Sequence, residues 1–253
     1  MTVMQTIPSL AETVFDHEAL NNEFYRRWTT GPLQLREVEI FARNYMARTN
    51  NTATMAALSL IGANELDLCT KIEMLKNLYS KYGHGNPEKV NIALLESYLQ
   101  DLLSRLAGRP YDLCELDAYP ILASTRAFIA ERSLYTDTGS SKNSTHVLGV
   151  LLAQEWLSHA MLTRLYEGAR NYQHLYKNND EFHEHCEYFY VHIGEAKKER
   201  KIQAVKAATR ECNGSARVDE LATSFNRFLE ITSNYWNGIA QAMREEAVCE
   251  VEA

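Results

Sequence analysis

The chain has 253 residues, 45% of them hydrophobic, and a formal charge of −7, so it can bury a sizeable core as one large domain or two small ones. The acidic balance and the absence of a dense Lys/Arg block exclude a nucleic-acid partner. No apolar run reaches the length of a membrane span, and the segment MTVMQTIPSLAET lacks the basic and apolar regions of a signal peptide.

Five prolines and eleven glycines fall between periodic segments, which predicts an all-α protein. The first helix is expected over about 10–29, stopped by Gly31-Pro32. The second covers about 35–61 and ends at Gly62. The third, about 65–82, stops at the turn Gly83-His84-Gly85-Asn86-Pro87. The fourth, about 88–106, ends at Gly108. The fifth follows Pro120 and ends near Gly139. The sixth starts at the Ser144-Thr145 cap and runs to about 172. The seventh spans about 180–209 and the last about 218–247. Residues 1–9 and the acidic tail, about 246–253, read as frayed. No repeat or linker divides the chain, so residues 1–253 read as a single bundle of seven or eight helices. The scattered cysteines Cys69, Cys114, Cys186, Cys212 and Cys249 form no C-x-x-C pair and suggest reduced thiols in a cytoplasmic protein.

The sixth helix carries the residue that points to function. Leu148, Leu151, Leu152, Glu155, His159 and Leu162 share one face. A carboxylate on an apolar face is costly to ionise unless it meets a cation, a donor or a metal. Candidate partners lie on the seventh helix, where His192, Glu195 and Glu199 fall at i, i+3 and i+7, with His185 a turn and more earlier. A glutamate facing a His-x-x-Glu pair matches the ligand pattern of di-iron carboxylate bundles. Imidazole with carboxylate also suits iron or manganese.

Plainer readings stand beside this one. Glu195 and Glu199 can pair with Lys198 and Arg200 on a solvated face, and Glu155 can pair with His159 one turn on. His183-Glu184-His185-Cys186 cannot close around one ion within a helix, because alternate residues do not face each other; it reads as an exposed helix start. Gly83-His84-Gly85 lacks the Lys-Ser/Thr of a phosphate loop and reads as a turn. Tyr25, in Phe24-Tyr25-Arg26-Arg27-Trp28, reads as packing unless an oxidant lies beside it.

Four segments, in order, resemble one family. They are residues 20–45 (LNNEFYRRWTTGPLQLREVEIFARNY), the N-L-Y-x-x-x-G-H-G-N-P turn at 77–87, the L-x-x-G-x-x-x-Y end of the Glu155 helix at 165–172, and the His192 helix. They are similar to the TenA/PqqC/CADD group, most of all to CADD-like proteins of cyanobacterial type. The resemblance covers nearly the whole chain and implies a heme-oxygenase-like fold. It is less informative about activity.

CADD-type members resemble di-iron oxidases and oxygenases. By resemblance, Glu155 falls on their mid-chain glutamate, thirteen residues before Gly168. His192 falls on the first histidine of their last motif, and Tyr25 on a tyrosine that serves as a consumed donor. Glu199 stands in place of the final histidine and keeps a ligating side chain. Other ligand positions depart: Ser80 or Lys81 replaces a carboxylate, Asn91 a histidine and Ala196 an aspartate. His17 stands one residue off the heme-ligand histidine of the heme-oxygenase branch, so heme is not expected. No cysteine matches the TenA nucleophile.

The resemblance therefore implies an iron-dependent oxidase or oxygenase acting on a small molecule in the bundle cavity. Glu155, His192 and Glu199 would be metal ligands, and Tyr25 a catalytic donor. The departures open an alternative: a metal-free small-molecule-binding or protein-interaction module in which Lys81 neutralises Glu155. A third reading makes Glu155 a general base beside His159 or His192. A homodimer is implied by resemblance alone. The partners of the Glu155 carboxylate decide among these readings.

Overall fold

The computed structural model describes the backbone of residues 3–62, 66–135, 144–193, 196–212 and 214–252, and the side chains of 6–50, 66–72, 74–135, 144–191, 193, 200–212 and 214–246. Among the described residues there are eleven α-helices, short 3-10 turns and no strand. The helices are α1 (Val3–Glu12), α2 (Glu23–Thr30), α3 (Leu35–Gly62), α4 (Leu68–Lys81), α5 (Asn91–Ala107) and α6 (Ala123–Ser133). They continue with α7 (Ser144–Ala169), α8 (Asn179–His185), α9 (Glu187–Ile193), α10 (Ala196–Glu211) and α11 (Ser215–Glu252). No described helix is long and apolar enough to cross a membrane.

Helix α7 is the axis of the bundle. It packs against α11, α10 and α2, while α3 packs on α5, α6 and α11. Two glycines let α7 be approached closely. A Cβ at Gly149 would lie 2.3 Å from the Leu221 carbonyl oxygen of α11, and one at Gly168 would lie 1.9 Å from the Trp28 ring of α2. Trp28 fills that gap and donates its indole N–H to the Leu165 carbonyl at 2.8 Å. Phe24 stacks on Trp236 with centroids 4.6 Å apart, and Trp28 meets Phe41 at 5.1 Å. The Tyr172 hydroxyl accepts from the Leu33 N–H at 2.9 Å, closing this aromatic end of the core.

The expected all-α bundle is present, with two of its helices subdivided. The first, expected over about 10–29, divides into α1 and α2. The His17 Nδ1 accepts from the Ala19 N–H at 3.0 Å, and Asn22 caps α2 by accepting from the Tyr25 N–H at 3.1 Å. Such side chains offer the backbone an alternative to the helical ladder. Helix α1 (Val3–Glu12) covers part of the N-terminal segment and buries Ile7 and Ala11; residues 1–2 are outside the described residues. The tail expected to fray lies within the backbone of α11, which runs to Glu252.

The seventh expected helix is broken between α8 and α9, and α10 follows beyond residues 194–195, which are outside the described residues. At that break the Cys186 N–H bonds the His183 carbonyl, three residues back, at 3.1 Å. Cys186 is buried there, so the H-E-H-C stretch is not wholly an exposed helix start. Cys69, Cys114, Cys186 and Cys212 are free thiols; the Cys249 side chain is outside the described residues.

Candidate functional site

Helix α4 covers the middle of α7. Asp67 fixes where α4 starts: its carboxylate accepts from the Cys69 N–H at 2.8 Å and the Thr70 N–H at 3.2 Å. The Thr70 hydroxyl bonds it as well, and this bond foremost lowers the Asp67 pKa to about 2. From that cap, Thr70, Met74, Asn77 and Lys81 recur at helical spacing on the inward side of α4. Thr70, Met74 and Lys81 are buried and Asn77 is half-buried.

Glu155, 3% exposed, meets this face. Asn77 Nδ2 donates to Glu155 Oε1 at 2.7 Å. The buried Oδ1 of Asn77 has no hydrogen-bond partner among the described residues.

Glu155 lines two cavities. An inner one of about 80 Å³ is walled by Arg48 from α3, Lys81 from α4, Arg132 from α6 and Gln154 from α7. Tyr45 and Tyr188 also border it; their hydroxyls share a hydrogen bond at 2.8 Å. An outer cleft of about 360 Å³ is bordered by Met74, Asn77, His84, Arg200 and Gln203. A third cavity, about 50 Å³, shares Asn77 with the cleft and Lys81, Arg132 and Gln154 with the inner cavity.

The inner cavity is cationic. Arg48, Lys81 and Arg132 are 8%, 7% and 8% exposed, whereas Glu155 is the one carboxylate among the described lining residues. Arg48 and Arg132 lie over the same Phe128 ring at 5.0 and 5.6 Å. Burial, and then the charge of Arg48, lowers the Arg132 pKa to about 9. Arg132 Nη2 donates to Gln154 Oε1 at 3.0 Å, and Arg48 Nη1 approaches Met161 Sδ at 3.3 Å. Burial pushes the Tyr45 and Tyr188 hydroxyls up from their ordinary values, so both remain protonated donors.

The residues singled out in the sequence fare differently. Glu155 is buried at a cavity wall, and Lys81 and Asn91 line the inner cavity with it. Asn77 is one partner of the Glu155 carboxylate. His192 lies on α9 and Glu199 on α10, but their side chains, like all of Glu195, are outside the described residues. The shared face inferred for His192, Glu195 and Glu199 required one continuous helix. Residues 194–195, between α9 (Glu187–Ile193) and α10 (Ala196–Glu211), lie outside the described residues, and so does that face.

Tyr25 is buried against Trp236, with ring centroids 4.9 Å apart, and is not among the described lining of the Glu155 cavities. Burial holds its hydroxyl well above the ordinary tyrosine value, with a lesser opposing effect from Arg48. That hydroxyl has no hydrogen-bond partner among the described residues.

Among the described residues alone no iron site is assembled. The Asn77 amide already donates to one Glu155 oxygen, and Arg48, Lys81 and Arg132 line the same space, where a further cation is repelled. No group of three His, Cys, Asp or Glu side chains suited to a metal occurs among the described residues. Asn77, Arg48, Arg132 and Gln154 escaped the sequence reading. Arg48 had a signal: it follows Phe41 by seven residues and Tyr45 by three, the same helical spacing that drew attention to Glu155.

No protein-family model and no curated protein sequence matches the chain. Solved structures do. The chain is similar to a CADD-like protein of unknown function from Nostoc punctiforme, with a TM-score of 0.69 and 15% identity, covering 95% of this chain and 98% of that one. It is similar to a domain of unknown function with a heme oxygenase-like fold from Shewanella denitrificans, with a TM-score of 0.62 and 14% identity, over 98% and 94% of the two chains. A TenA homologue from P. horikoshii matches with a TM-score of 0.59 and 13% identity, over 95% and 99%. The chain thus has the heme-oxygenase-like fold expected from its sequence. At these identities the likeness is one of fold and does not carry an activity.

Proposed function

We propose that this protein is a metal-independent binder of a small anionic molecule whose charged end enters the inner cavity. One observation carries the reading. Three cations from three different helices, each at most 8% exposed, line a space in which Glu155 is the only described carboxylate. Buried charge is costly unless opposite charge and hydrogen bonds compensate it. An anion at about 4 Å gains roughly 4 kcal/mol from one cation at an effective dielectric of about 20.

The cavity sizes support a division of labour. The inner space of about 80 Å³ is smaller than the roughly 150 Å³ that holds a benzene ring, so it suits a carboxylate or phosphate group. The outer cleft of about 360 Å³ falls within the range of roughly 300–1,000 Å³ typical of small-molecule sites and suits the body of the ligand. Glu155 borders both spaces, and Asn77 meets it from the cleft side. Its Nδ2 is engaged by Glu155, and its Oδ1 can accept from a donor on the ligand.

Calorimetric titration of chelator-treated protein with inorganic phosphate and with linear carboxylates of increasing length tests this reading. Saturable binding is expected, unchanged by chelator and at least about tenfold weaker in Arg132→Gln, a loss of about 1.4 kcal/mol. A preference for phosphate or for carboxylate identifies the head group. Absence of binding to either class contradicts the proposal. So does one retained equivalent of iron that disappears in Glu155→Ala, which would favour the iron-dependent oxidase instead.

A further inference from the structure

The inner cavity is selective in two respects, the balance of its charges and the directions from which its donors come. Counted as formal charges, its described lining holds three cations, Arg48, Lys81 and Arg132, against the single carboxylate of Glu155, a surplus of two positive charges. Arg132, with a pKa of about 9, is still protonated at neutral pH. A carboxylate ligand brings one negative charge and leaves part of that surplus buried without compensation, which is costly. A phosphate monoester carries roughly −1.5 to −2 at pH 7 and matches it.

The donors converge from different sides. Arg48 comes from α3, Lys81 from α4 and Arg132 from α6, and Asn91 enters from the start of α5. A carboxylate is planar, and its two oxygens are best met by a bidentate pair in that plane. Cations set on three helices around a space of about 80 Å³ suit three terminal oxygens directed away from one centre, the acceptor set of a phosphate group. Phe128 orients two of these cations, with Arg48 at 5.0 Å and Arg132 at 5.6 Å from its ring centroid. Like charges gathered on one ring repel, and an anion beside both offsets that repulsion. The remaining oxygen, which bears the ester, is left for the side where Glu155 borders the outer cleft.

We infer that the charged end of the ligand is a phosphate monoester, seated among Arg48, Lys81 and Arg132, with its organic group directed past Glu155 into the outer cleft. The inference rests on the anion-binding reading above and narrows it from anions in general to one head group. Glu155 then takes part in specificity. Its negative charge sets the surplus at two, so removing it favours the more highly charged ligand most.

Calorimetric titration of the full chain with n-propyl phosphate, n-butyrate and inorganic phosphate tests the head group. At neutral pH propyl phosphate is expected to bind at least about tenfold tighter than butyrate, a difference of about 1.4 kcal/mol, and tighter than inorganic phosphate. Titration at about pH 5 lies below the second ionisation of the phosphate, near pKa 6, so the preference over butyrate should fall about tenfold. Butyrate stays mostly ionised there, since a free carboxylate titrates near about 4.3, and comparing two ligands cancels the titration of the protein's own groups. In Lys81→Met, with its circular dichroism unchanged, the preference should shrink at least about threefold, and in Glu155→Gln it should grow. The pH comparison on the wild type needs no variant. Butyrate binding as tightly as propyl phosphate, or a preference unmoved by pH and by both variants, overturns the inference and leaves the anion site standing. Inorganic phosphate binding tighter than the ester also overturns it. Absence of binding by all three overturns the anion site with it.

Discussion

The two halves of α7 serve different ends. Toward Gly168 the bundle is filled by Phe24, Trp28, Phe41 and Trp236, with rings in stacked or tilted contact and the indole N–H of Trp28 bonded to a backbone carbonyl. Around Glu155 it is hollow, with cavities walled by buried charges. Burying charge detracts from stability unless it is compensated, whereas close aromatic packing adds to it. The contrast suggests that the aromatic end holds the helices in place and so keeps the charged end open. Stability and binding should therefore respond to different substitutions.

The largest effect is expected at the filled end. Trp28→Ala should lower unfolding free energy by roughly 3–5 kcal/mol in urea denaturation, while the molecules that remain folded bind anions with unchanged affinity. A matching fall in affinity would mean that the two ends are not separate. Gly149→Ala is a smaller test of the close α7–α11 approach. Its new methyl would meet the Leu221 carbonyl, so a loss of roughly 1–3 kcal/mol is expected. A gain in melting temperature would mean that improved helix propensity wins and the contact is loose.

At the hollow end the pattern should reverse. Arg132→Met removes a buried cation without removing much volume, so stability should change far less than in Trp28→Ala. Anion affinity should fall at least about tenfold. Denaturation and titration of the same sample check both.

The smallest effect concerns the cap that positions α4. Asp67→Ala should cost about 1 kcal/mol. The Thr70 hydrogen bond holds the Asp67 pKa at about 2, below its ordinary 3.8. A depressed carboxylate pKa contributes stability that is complete above the ordinary value and is lost as pH falls through the folded one. Wild type and Asp67→Ala should therefore converge in melting temperature between pH 3.8 and about 2. Parallel curves would remove Asp67 as the cause.

The fold was legible because glycine, proline and cap residues punctuate strong helical periodicity. Gly108, for instance, closes α5 in a left-handed C-cap as expected. The breaks in the first and seventh expected helices were not legible, because they arise from local bonds at His17, Asn22 and Cys186, which compete with the ladder without a glycine or proline to announce them. Of the site, Glu155 was visible as a charge on an apolar face, and the likeness to CADD-like proteins brought Lys81 and Asn91 to attention. Asn77 and Arg132 were not visible, since their approach to α7 is set by packing between helices distant in sequence. Arg48 could have been found by giving a cation on an apolar face the same weight as an anion.

The central claim is that the Glu155 cavity binds an anion without a metal. Its most direct test is calorimetric titration of a linear carboxylate into chelator-treated wild type and Arg132→Met. Saturable binding to the wild type that weakens at least about tenfold in the variant is the predicted result. Equal binding by both proteins, or binding that appears only after ferrous iron is added, would contradict it.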